Sequence, residues 1–127
     1  MSDEVKRKVH VVQRPPRLDH FDIEALNSLG EVEYLTPVAP NIHDAERITA
    51  DYARMLKSIV TARPDDVFVA LGGSPISNWL FGAALFASGA KSINVAMYSR
   101  DIDEDGRRLD KGRYRIVEMV TEFPEDA

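Results

Sequence analysis

One stretch in the middle of the chain constrains the fold more than any other: an apolar run that ends at two glycines and resumes as Ser-Pro. The run, residues 67–71, has the length and composition of a strand that is buried on both faces. Ser74 can cap a following helix, and Pro75 suits the first helical position, where its missing N–H costs nothing. This stretch therefore predicts a buried strand, a tight turn at Gly72 and Gly73, and a helix.

The rest of the chain alternates between strand and helix patterns. Short runs rich in β-branched and aromatic residues predict further strands at residues 9–13, 32–35, 93–98 and 114–120, the last as an antiparallel edge strand. Three helices are predicted between them: one that Asp19 caps and a left-handed Gly30 ends, one that starts at Asn41 or Asp44, and one over 76–88 that Gly89 ends.

This alternation predicts an α/β fold, a three-layer sandwich with a mainly parallel Rossmann-like or flavodoxin-like sheet of about five strands. We predict a single domain over residues 1–127, with residues 1–8 and 121–127 as flexible tails. In the longest helix, apolar residues three and four apart form one stripe that should face the sheet. Asp51 and Arg54 fall largely opposite this stripe, which consists of Ala45, Ile48, Tyr52, Met55, Leu56, Ile59 and Val60.

Charge and composition limit the partners, the chemistry and the localisation that we expect for this chain. The net charge of −5 argues against a general affinity for nucleic acid, because backbone binding needs a basic face. The chain has no cysteine, which excludes disulfides, thiolate catalysis and cysteine-ligated zinc. We expect a cytoplasmic protein, since neither a signal peptide nor a membrane-spanning apolar run is recognisable.

The predicted helix 76–88 is apolar on all sides, unlike the amphipathic helix before it. A helix of this kind must be covered on more than one face. Two interpretations stay open: a deep central helix within one domain, or a helix buried in a subunit interface. The second interpretation predicts a homo-oligomer that assembles through residues 76–88.

A ligand site is expected where the first and third strands end. If these strands are neighbours, their carboxyl ends flank the point where strand order reverses, and ligands of such sheets settle there. Glycine backbone N–H groups, a helix N-terminus and arginine side chains at this edge would favour an anion such as a phosphate. The candidate ligand-binding residues are Arg14, Arg17, His20, Gly72, Gly73, Ser74, Asn78 and Arg100.

Several motifs of known chemistry are incomplete in this chain. The glycine turn lacks the spacing of a P-loop and of the dinucleotide fingerprint. Gly72-Gly73-Ser74 matches the first half of a nucleophile elbow, but Ile76 stands where the last glycine belongs. The series Asp101, Asp103, Asp105 imitates the start of a calcium loop, yet Gly112 occupies the position of its bidentate glutamate. We therefore assign no catalytic residue, no metal and no cofactor.

The segment from Val67 to Ala87, a strand followed by a glycine turn and an alanine-rich apolar helix, resembles two groups of proteins. It is similar to the CRISPR-associated Rossmann-fold sensors of cyclic oligonucleotides and to small Rossmann-like proteins encoded by bacteriophages. The resemblance implies a ligand-binding, often dimeric domain in which Gly72, Gly73 and Ser74 face the ligand. The lysine or threonine that usually follows the glycines in the sensors is absent from this chain.

The leading hypothesis is thus a protein that binds a small phosphorylated, nucleotide-related ligand. One alternative is a homo-oligomeric structural or interaction module without a ligand. A second alternative is a small phosphoester hydrolase that would use Asp19, His20 or the aspartates between Asp101 and Asp105.

Overall fold

The protein folds around one five-stranded sheet, which a computed structural model describes together with its helices over residues 7–15, 23–36, 44–71, 74–99 and 113–121. Neighbouring strands pair in parallel except for the last, which runs antiparallel to its neighbour at the edge of the sheet. The strands are β1 (Lys8–Val11), β2 (Glu31–Tyr34), β3 (Val67–Val69), β4 (Ser92–Ser99) and β5 (Arg113–Val120), in the order β2-β1-β3-β4-β5.

This order confirms the predicted α/β class and the antiparallel edge strand. The first and third strands are neighbours, which the sequence had left open. Three helices connect the strands: α1 (Ile23–Leu29), α2 (Ala45–Val60) and α3 (Pro75–Ser88). Within the described ranges, no helix combines the length and apolar character needed to cross a bilayer.

The helices divide between the two faces of the sheet. α2 and α3 cover one face, where Met55 and Leu85 pack in a core cluster with Phe68 of β3. On the other face, Leu26 of α1 packs in a cluster with the valines of β1 and β3. Because successive strand residues point to opposite faces, β3 is buried on both sides, as its uninterrupted apolar run predicts.

The ends of α3 follow the predicted capping chemistry. The Ser74 side chain accepts a hydrogen bond from the backbone N–H of Ser77, and Pro75 is the first helical residue. At the other end, Gly89 adopts the left-handed conformation with φ of 72°. A residue without Cβ adopts this conformation at little cost, so Gly89 ends the helix.

Gly30 has a different role from the predicted left-handed cap, and that prediction was wrong. Its φ lies outside the left-handed region. A Cβ at this position would lie only 2.2 Å from the carbonyl oxygen of Arg7, which accepts the N–H of Glu31 at 2.8 Å. Glycine is required here because the turn into β2 passes against the backbone that leads into β1.

α2 starts at Asp44, whose side chain accepts the N–H groups of the next turn. The predicted apolar stripe is correct at its centre and wrong at both ends, where Ala45 is exposed and Val60 is 63% exposed. Adjacent helical residues point about 100° apart, so Ile59 faces the core and Val60 does not.

The placement of Asp51 opposite the buried stripe was also wrong, since Asp51 is buried. Its Oδ1 accepts from Arg54 Nη1 at 3.0 Å, and the same nitrogen donates to the carbonyl of Leu35 at 2.9 Å. This ion pair compensates the burial of the carboxylate and connects α2 to the end of β2.

Two residues that the predicted tails included take part in the sheet. Lys8 belongs to β1, and Thr121 donates its N–H to the carbonyl of Lys91 at 2.8 Å. The ladder between β4 and β5 thus extends one residue beyond Val120. Residues 1–6 and 122–127 lie outside the described part of the chain.

Candidate functional site

The carboxyl ends of β1, β2 and β3 are joined by a set of short hydrogen bonds. Val12 donates its N–H to the carbonyl of Val69 at 2.9 Å. Arg14 donates its N–H to the carbonyl of Thr36 at 3.2 Å, and the Thr36 hydroxyl donates to the carbonyl of Val12 at 2.7 Å. The segments that leave these three strands therefore start from one fixed edge.

A side chain that we did not predict links this edge to α3. Gln13 is buried, and its Oε1 accepts the backbone N–H of Ser74 at 2.6 Å across 61 positions of sequence. The contact brings the segment after β1 to the first turn of α3. In the sequence, Gln13 was only the residue at which the first strand was expected to end.

The described candidate residues have distinct environments. Arg14 is exposed, and its guanidinium carbon lies 5.7 Å from the ring centroid of Tyr34, within the range of a cation–π contact. The Ser74 hydroxyl already has partners in α3. It accepts a hydrogen bond from the backbone N–H of Ser77 and donates one to Oγ of Ser77 at 3.2 Å. Asn78 is exposed in the first turns of the same helix. The other candidates lie outside the described residues: Arg17, His20, Gly72, Gly73 and Arg100.

An apolar groove of about 220 Å³ lies between α3 and the sheet. Its walls include Ala70, the residue after β3, and Asn78 of α3. Most of its surface is apolar and comes from side chains such as Phe81, Leu85 and Met119. An apolar wall with one or two polar groups at its border is typical of small-molecule sites, although this groove is smaller than most.

A second polar cluster, missed from the sequence, lies at the amino end of the strands. Asp66, directly before β3, is only 4% exposed. Its carboxylate accepts the N–H of Lys8 at 3.0 Å, the N–H of Arg63 at 3.1 Å and the ring Nε2 of His10 at 3.3 Å. Burial raises the pKa of Asp66, but the backbone donors Lys8 and Arg63 and the His10 ring outweigh it and hold the pKa below its usual range.

His10 lies between this carboxylate and Glu33 of the second strand. Its ring stacks on Phe68 at a centroid distance of 4.7 Å, and its Nδ1 lies 3.7 Å from Oε2 of Glu33. Because an ionised carboxylate only accepts hydrogen bonds, His10 donates from Nε2 to Asp66. The hydrogen bonds of the cluster thus link β1 to the residue before β3, beside a cavity of about 320 Å³ whose lining includes Lys57. Its one sequence signal is a histidine within a run of valines.

Metal chemistry finds no support among the described side chains, where no three His, Cys, Asp or Glu residues are grouped to hold an ion. The aspartates at 101, 103 and 105 lie outside the described residues, as do Asp19 and His20. The calcium-loop comparison and the hydrolase alternative consequently stay predictions.

Comparison of the chain with protein-family models, with curated proteins and with solved structures gives no match.

Proposed function

We propose that this protein binds a small anionic ligand, phosphorylated or nucleotide-related, at the carboxyl edge of its sheet. One observation carries the proposal: β1 lies beside β3, and the Gln13 side chain joins the segment after β1 to the first turn of α3. These are the two segments between which ligands of open parallel sheets bind.

The strand order explains why a ligand would bind there. From β1 the chain goes to β2 on one side, and from β3 it goes to β4 on the other, so the connections that leave these two neighbouring strands diverge. In open α/β sheets, this divergence leaves a crevice outside the carboxyl ends of the strands. The crevice would lie next to Arg14, which follows β1 and has an exposed, positively charged side chain.

The ligand contacts follow from this placement. Arg14 supplies the charge for a phosphate, and the backbone of Gly72 and Gly73 supplies N–H donors that no side chain obstructs. The apolar groove at Asn78 takes the uncharged part of the ligand. Ser74 contributes indirectly, because its hydroxyl holds the first turn of α3 in place.

Titration calorimetry with AMP, ADP and inorganic pyrophosphate tests the proposal, with native mass spectrometry of the gently purified chain as a first screen. A charge-assisted hydrogen bond contributes about 1.5–3 kcal/mol, so Arg14→Gln should weaken binding roughly 10-fold to 100-fold. Arg47→Gln is the matched control, since Arg47 is equally charged but lies exposed on α2.

The proposal is supported if one of the three probes binds and Arg14→Gln alone weakens it. It is overturned if none of them binds at millimolar concentration, or if Arg14→Gln and Arg47→Gln change the affinity equally.

A further inference from the structure

The outward face of α3 is apolar and exposed. Phe86 is 90% exposed and Trp79 is 74% exposed, although both are aromatic. They lie seven residues apart and therefore on the same side of the helix, with Gly82 and Ala83 between them. The described part of the chain thus does not bury this face, which favours the interpretation that the helix lies in an interface.

The order of large and small residues on this face is self-complementary. Trp79 and Phe86 are equally far from the midpoint between Gly82 and Ala83. When a second α3 crosses this midpoint antiparallel, Trp79 of each helix meets Phe86 of the other. The small residues at the centre let the two backbones approach, and the aromatic pairs close both ends.

The exposed aromatic side chains supply roughly half of the area that a stable dimer needs. Full burial of an aromatic side chain covers ~150–250 Å², and these two are 74% and 90% exposed, so the four rings of two copies would cover roughly 500–800 Å². A stable interface buries about 1,200–2,000 Å². The neighbouring strand adds Val117 and Met119, which pair with Val95 and Ile93 and so share the sheet face on which α3 packs.

The charges of the chain fit a second copy on this face. Each copy carries a net charge of −5, which disfavours close contact between most surfaces of two copies. Residues 75–88 include no charged side chain, so pairing through α3 brings no like charges face to face.

From these observations we propose that the occupant of this face is a second copy of the chain, bound as a two-fold dimer in which the α3 helices pack antiparallel. Trp79 of one copy contacts Phe86 of the other, and the symmetry axis passes between Gly82 and Ala83. The dimer does not depend on the ligand proposed above.

Sedimentation equilibrium of the full chain over a range of concentrations tests for the dimer. We expect a mass that rises from 14.2 kDa to twice that value. Phe86→Glu places a carboxylate against Trp79 of the other copy and should weaken association at least 10-fold. Val60→Glu is the matched control, because it adds the same charge at an exposed valine of α2 and should leave the dimer intact.

Crosslinking tests the orientation, since the natural chain has no cysteine to interfere. A disulfide needs Cα atoms within about 7 Å. Ala83→Cys lies next to the proposed axis and should form a covalent dimer on mild oxidation. Ala87 is also exposed on α3 but lies roughly 7 Å along the helix from the proposed symmetry axis, so its two copies would be about 14 Å apart. Ala87→Cys should therefore crosslink far more slowly.

A monomer at all concentrations overturns the proposal, as does a dimer that Phe86→Glu weakens no more than Val60→Glu. Equal crosslinking of Ala83→Cys and Ala87→Cys overturns the antiparallel arrangement. Circular dichroism of each variant shows whether it is folded before its mass is interpreted.

Discussion

Replacing Asp66 with asparagine removes one charge and hardly changes the shape of a buried side chain. The carboxylate accepts from Lys8 on one oxygen and from Arg63 and His10 on the other. An asparagine amide has one accepting oxygen and one donating NH2 group, so either orientation leaves a buried N–H facing another donor. We expect Asp66→Asn to lower the free energy of unfolding.

The size of this loss follows from the hydrogen bonds. A buried unsatisfied donor costs about 1–3 kcal/mol, and the bonds that remain lose the extra strength of an ionised acceptor, roughly another 1 kcal/mol. We therefore expect a loss of about 2–4 kcal/mol in urea unfolding monitored by circular dichroism. All measurements use one protein concentration, because dimerisation makes apparent stability depend on concentration.

Asp65→Asn is the matched control. Asp65 precedes Asp66 but has a half-exposed side chain, whose ion pair with Arg63 has an N–O distance of 3.8 Å. A surface pair of this kind contributes about 0–1 kcal/mol, so this variant should remain close to the wild type. The reasoning is refuted if Asp66→Asn costs no more than Asp65→Asn.

The pH dependence provides a second check on Asp66. Its pKa is lower in the folded chain than in the unfolded chain, where it is about 3.9. The stabilisation that the carboxylate provides is therefore complete above the unfolded pKa and is lost as the pH falls through the folded pKa. The difference in stability between the wild type and Asp66→Asn should be constant near neutral pH and shrink below about pH 4.

Three further predictions concern turns, caps and the aromatic face. Gly30→Ala should destabilise the chain by about 1–3 kcal/mol in urea unfolding, because its Cβ would meet the Arg7 carbonyl oxygen. Gly82→Ala, with open space around its Cβ in the single chain, should stabilise α3 by about 0.5–1 kcal/mol at concentrations where the proposed dimer is dissociated. Ser74→Ala should cost about 1 kcal/mol in the same assay through loss of the N-cap. Fluorescence of Trp79, the single tryptophan, should shift to longer wavelength on dilution if the dimer exposes it on dissociation, and an unchanged spectrum over a dilution range that splits the dimer would contradict this.

Local patterns were sufficient to predict most of the fold. β3 and the start of α3 followed from an apolar run, a capping serine and a proline, all of which act within a few residues. The edge strand β5 followed from a run rich in β-branched and aromatic residues. These features depend on residues that are close together in the chain, so they can be recognised in the sequence alone.

Most of the features that we missed depend on residues far apart in the chain. Gly30 was assigned a helix cap because its neighbours suggest one, but its requirement comes from Arg7 on another segment. Gln13 meets Ser74, and His10 meets Asp66, across more than fifty positions. A single sequence gives no signal for which distant polar groups will pair, so these contacts could not be derived before the strand order was known.

Residues at the amino end of the sheet stabilise the fold, whereas those at its carboxyl end belong to the proposed binding site. At the amino end, His10 and Asp66 are buried, and the Asp66 carboxylate accepts from His10 and from two backbone N–H groups of the fold itself. At the carboxyl end, Arg14 is exposed and its side chain contacts a tyrosine ring at the surface. Asp66→Asn should therefore lower the free energy of unfolding without changing the affinity of the folded protein for its anionic ligand, and Arg14→Gln should do the reverse. Calorimetry and urea unfolding of both variants measure the two quantities separately, and a variant that lowers both to the same extent would contradict this division.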